Sequence, residues 1–79
     1  MDNREKYVKA FVETFMVEEA VLSDLKYQDV PAWDSVGHMA LMAALEDSFD
    51  IELDIDDIID FSSFETGREI LGKYDVKVE

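Results

Sequence analysis

Apolar residues recur at three-to-four spacing twice in this chain, and the one apolar–polar alternation has nothing to pair with. Tyr7, Val8, Phe11, Val12 and Phe15 make one stripe, and Met39, Met42, Leu45 and Phe49 make a second. That spacing gathers side chains on one face of an α-helix. Ile51, Leu53 and Ile55 alternate with acids, as a strand would, but no second strand is available to them. The pattern therefore predicts an all-α fold.

At 79 residues the chain has room for one domain, spanning 1–79, and one small core. The first helix is expected over about residues 3–16, opened by an Asp2/Glu5 capping box. Residues 17–33 read as a long loop with one short turn near 18–24. Val21, Leu22, Leu25, Val30 and Trp33 are its apolar anchors. A loop of that length in a small domain is often functional. Asp34 is placed to cap a second helix that runs to about Ser48, with Ser35 in its first turn. Residues 50–55 form another loop, and a short third helix follows near 56–60. Ser62 and Glu65 read as a second capping box for a last helix over 64–73. Ile70 and Leu71 turn inward there, and Gly72 lies near its end. The tail from Asp75 to Glu79 is expected to fray. The sum is a small four-helix bundle, three longer helices and a short third, with a long loop between the first two.

Charge narrows the choice of partner. Twenty acids against seven basic residues leave a formal net charge of −13. Arg4, Lys6, Lys9 and Lys26 lie early and Arg68, Lys73 and Lys77 late, so residues 27–67 carry eleven acids and no Lys or Arg. Phosphate-rich nucleic acid and anionic membrane surfaces are repelled. Basic patches on other proteins are the natural counterparts, unless the charge serves solubility alone. The absence of cysteine excludes disulfides, thiolate metal sites and a cysteine nucleophile. No apolar run approaches the roughly 20 residues of a membrane span. A cytoplasmic monomer is expected.

Three chemistries compete for these residues. Ser35 and His38 stand three apart on one helix, as a nucleophile and base can, but an orienting group, an oxyanion hole and a pocket are missing. Asp50, Glu52, Asp54 and Asp56 alternate like the first ligands of a calcium loop. However, Ile55 stands where that loop needs glycine and Phe61 where it needs glutamate. No metal site is expected. The remaining chemistry is covalent attachment. A hydroxyl in the first turn of a helix is exposed, and a phosphate on it lies at the positive end of the helix dipole. The bland alternative is that Ser35 merely helps cap the helix.

The run Trp33-Asp34-Ser35-Val36-Gly37-His38-Met39-Ala40-Leu41, continued by Leu45-Glu46-Asp47-Ser48-Phe49-Asp50-Ile51-Glu52-Leu53, resembles the acyl carrier protein family. The resemblance extends to the order of the helices over nearly the whole chain. It implies that Ser35 carries a 4′-phosphopantetheine arm, taken from coenzyme A by a magnesium-dependent phosphopantetheinyl transferase. It further implies that Asp34 helps that transferase engage Ser35, and that the chain itself is not an enzyme. The partner face would comprise Val36, Ala40, Ala43, Glu46 and Asp47, extended by Asp56, Asp57 and Asp60. Partners would be an acyl- or adenylate-forming ligase, and synthases or acyltransferases with basic docking patches.

Two departures shape the expectation. The residue after the serine is usually leucine, and here it is Val36. Acids common early on that helix are replaced by Gly37, His38 and Ala40. Both favour a specialised stand-alone carrier over a housekeeping fatty-acid carrier. Aminoacyl or peptidyl carriers usually have glycines before the serine, whereas this chain has Ala32-Trp33-Asp34. An acidic interaction module without any arm is the reading from another class. Met39, Met42, Leu53, Ile58 and Ile59 are suited either to plain core packing or to a cleft that shelters an acyl chain.

Overall fold

A computed structural model describes residues 2–79. Four α-helices, α1 (Asn3–Phe15), α2 (Ser35–Phe49), α3 (Ile55–Asp60) and α4 (Phe64–Gly72), are joined by irregular segments. A 3-10 helix (Glu19–Asp24) interrupts the first of these. Among the described residues there is no strand, only one antiparallel bridge between Lys26 and Ser63. No described helix is long and apolar enough to cross a membrane.

The core is built on aromatic rings. Tyr7, Phe11 and Phe15 line the inner face of α1, one turn apart, and all are buried. Phe11 meets Trp33 edge-on at 5.5 Å and Phe64 at 5.1 Å between ring centres. Such offset and edge contacts are the favoured arrangements for aromatic pairs. Tyr7 donates its hydroxyl to the Phe64 carbonyl at 2.6 Å, so the one polar atom on this face is satisfied. Burial holds that phenol far above its ordinary range. Leu41, Met42 and Leu45 bring α2 onto α1.

Several sequence expectations are corrected here. Met39, on the stripe with Met42 and Leu45, is 52% exposed, while Leu41, outside that stripe, is fully buried; Phe49 packs half-buried against the core, as its place on the stripe implies. Val21 is also exposed, leaving Leu22, Leu25 and Trp33 as the loop's buried anchors. The cap of α4 is Ser63 rather than Ser62. Phe64 N–H is already bonded to the Leu25 carbonyl at 3.0 Å, which holds the entry extended up to Ser63. Ser63 Oγ then accepts from Thr66 N–H at 3.0 Å, and Glu65 turns to Arg68 instead.

The tail is ordered, not frayed. Val76 and Val78 are buried against the core. Asn3 Nδ2 donates to the Lys77 carbonyl at 3.0 Å, Arg68 Nε to that of Val78, and Arg4 to that of Glu79 at 2.9 Å. The tail thereby ties the start of α1 to α4.

Candidate functional site

The site is built at the start of α2. Asp34 has extended backbone geometry, and its Oδ1 accepts from Gly37 N–H at 2.8 Å. This is the side-chain cap that satisfies one of the helix's free N–H groups. Ser35 is therefore the first helical residue and not the cap, and it is exposed.

The loop before the site is held by its own bonds. Lys26 N–H reaches Asp29 Oδ2 at 2.9 Å, Gln28 N–H reaches the Trp33 carbonyl at 3.0 Å, and Trp33 N–H reaches the Val30 carbonyl at 3.0 Å. Gln28 takes a left-handed conformation at φ 71 to close that turn. Tyr27 N–H bonds the Ser62 carbonyl at 2.9 Å, which fastens the loop to the segment entering α4. Gly37 lets the helix lie against this loop. A Cβ there would stand 1.8 Å from the Ala32 carbonyl oxygen and 3.3 Å from Phe15.

His38 joins three segments. Trp33 Nε1 donates to its Nδ1 at 3.0 Å, and its Nε2 lies 2.7 Å from the Ile58 carbonyl oxygen. A carbonyl only accepts, so the proton sits on Nε2 and the ring is neutral. The Tyr27 and Phe61 rings meet it edge-on. The histidine that stood in the sequence as a candidate base for Ser35 is thus a half-buried tie between the loop, α2 and α3. Neither ring nitrogen is left to serve Ser35 as a base.

Between α2 and α3 lies a cleft of about 380 Å³, with Ser35 on its rim and Met39, Ile55, Ile58 and Ile59 along its walls. Tyr27, His38, Phe61 and Ser62 complete its lining. Of the five residues suited either to core packing or to such a cleft, Met39, Ile58 and Ile59 line it. Met42 and Leu53 are buried in the core instead. Val36 (77%), Met39, Ile55 (68%) and Ile59 (71%) stay exposed around Ser35. Ile55 was missed because its alternation with acids drew it into a loop.

The acids divide into free and committed groups. Asp47, Asp56 and Asp60 are exposed, as are Val36, Ala40 and Ala43. Asp57 is buried, which removes it from the expected partner face. Its carboxylate receives Lys73 Nζ and the Tyr74 hydroxyl, and Tyr74 in turn accepts from Asp54 N–H at 2.9 Å. The bonds from Lys73 and then Tyr74 hold the Asp57 carboxyl below the ordinary carboxylate range. The same bond raises Lys73. Glu46 is half-buried, and its Oε2 accepts from Leu53 N–H at 2.8 Å, so it fastens the α2–α3 loop more than it faces solvent. Among the described residues no three acids or histidines converge on a metal-sized point.

No family model, curated protein or solved structure matches this chain.

Proposed function

We propose that this chain is an acyl carrier protein, in which Ser35 bears a 4′-phosphopantetheine arm through a phosphodiester on its Oγ. The observation that carries the reading is the division of labour at the start of α2. Asp34 does the capping, so Ser35 has no capping role to explain its place at the head of the helix. The residues fit the group. The hydroxyl is exposed, the phosphate would lie by the free N–H groups of the first turn, and an apolar cleft begins beside it. When attached, the arm supplies a terminal thiol that holds acyl groups as thioesters.

The chain's own residues then present and steer. Asp34 fixes the first turn and faces the transferase. Val36, Met39, Ile55 and Ile59 offer an apolar landing surface rimmed by Asp56 and Asp60, with Asp47 further along α2. Partner enzymes with basic docking patches suit that rim. In this reading the helices form a four-helix bundle, the protein is a cytoplasmic monomer, and an adenylate-forming ligase loads it. An aminoacyl cargo uses the same attachment.

The same exposed apolar ring also suits a module that binds partners without any arm. Incubation with coenzyme A, magnesium and a broad-specificity phosphopantetheinyl transferase separates the two readings. A carrier gains one phosphopantetheine on Ser35, whereas a plain docking module gains nothing.

A further inference from the structure

We propose that His38 is a protonation-sensitive latch that holds α3 against α2 and so sets the width of the cleft beside Ser35. The chain has one histidine and one tryptophan, and the structure bonds them to each other. Trp33 is fully buried, so its Nε1–H has no water to turn to if His38 stops accepting. On the other side, the imidazole N–H satisfies the Ile58 carbonyl in the last turn of α3, where no intrahelical donor is available. Neutral, the ring does both tasks. Protonated, it carries a hydrogen on Nδ1 and meets the indole N–H donor to donor. The ring must then leave the Trp33–Ile58 line, and α3 loses its tie to α2.

The surroundings leave this switch to His38 alone. At the start of α2 the capping Asp34 is committed to Gly37 N–H, and the acids within the helix, Glu46 and Asp47, lie two turns or more beyond His38. The loop presents the Tyr27 ring, with Lys26 and Asp29 in solvent. On α3, Asp56 and Asp60 are exposed, and Asp57 is held ionised by Lys73 and Tyr74. Phe61 contributes only a ring edge. The other tie of α3, through Asp57, therefore does not change between about pH 8 and about pH 5, the range in which histidine charge is decisive. What the cleft receives rests on the carrier reading, but the latch does not.

The test uses the full chain with Ser35→Ala, which no transferase can load. Exchange of the Ile58 amide, bonded to the Asp54 carbonyl, is followed against α1 amides and corrected for the intrinsic rate. Binding of Nile red, an uncharged apolar dye, reports the cleft. From about pH 8 to about pH 5 we expect Ile58 protection to fall about tenfold, as for the loss of one net hydrogen bond. Dye binding should rise while α1 stays protected. His38→Gln, which keeps a neutral donor and acceptor, should show a flat profile with protection retained. His38→Phe should be unlatched at every pH. A flat profile in the parent, or the parent's pH dependence persisting in His38→Gln, would overturn the latch whether or not Ser35 is ever modified. If His38→Phe does not fold, the parent and His38→Gln decide.

Discussion

Gly37 and Ala32 stand so close that a Cβ on the glycine would lie 1.8 Å from the Ala32 carbonyl oxygen. The obstacle is backbone, in a loop locked by its own hydrogen bonds, so it cannot swing aside as a side-chain tip would. Gly37→Ala should therefore displace the loop or the first turn of α2. We expect a loss of about 3 kcal/mol or more, at the upper end of overpacking costs. Urea unfolding of the variant checks it, and a change under about 0.5 kcal/mol, the ordinary surface scale, would refute the contact.

Asp34→Ala removes the cap of α2 while leaving Ser35 in place. The expected cost is about 1 kcal/mol. Ser35→Ala, one residue later, should cost less than about 0.5 kcal/mol because the residue is exposed and does not cap. Paired thermal melts compare the two. Equal losses would mean that the capping is shared.

Asp57 predicts a particular response to acid. Its carboxyl is lowered in the folded state by its bonds from Lys73 and Tyr74. The stability it contributes is present above the unfolded aspartate value of about 3.9 and is lost as pH falls through the lower folded value. Asp57→Asn should be less stable than the parent at neutral pH, and the gap should close below about pH 4. A gap that stays constant to lower pH would show that the interaction does not depend on the charge.

Met16 and Asp50 end α1 and α2 in left-handed geometry, at φ 56 and φ 53, without being glycine. That conformation strains any residue with a Cβ. Met16→Gly should stabilise the protein by up to about 1 kcal/mol, since the side chain is 86% exposed and forfeits little packing. A chemical denaturation curve decides it, and a loss of stability would mean that the Met16 side chain contributes more than its exposure suggests.

Legibility from sequence followed the contrast between helix faces. In α1 the buried Tyr7, Phe11 and Phe15 stand against Arg4, Lys9 and Glu13, so period alone found the inner face. In α2 the outward Val36, Met39, Ala40 and Ala43 are as apolar as much of the inward side. Period could not tell Met39 from Leu41, and it chose wrongly. Asp34 was readable as a cap because its signal is local. Asp57 was not distinguishable from Asp56 or Asp60, because its partners Lys73 and Tyr74 lie a whole helix away. The tail failed for the same reason: Asn3, Arg4 and Arg68 hold it, and none is near it in sequence. His38 was singled out as the only histidine, but its role depends on Trp33 and on a backbone carbonyl of α3, which no local pattern reveals.

The most direct measurement is intact-protein mass spectrometry of the full chain and of Ser35→Ala, each incubated with coenzyme A, magnesium and an active phosphopantetheinyl transferase. The carrier account expects a gain of one phosphopantetheine in the parent, carried by the peptide containing Ser35, and none in the variant. No gain in the parent, with a control carrier fully modified in the same mixture, would contradict the account. So would a gain that persists in Ser35→Ala.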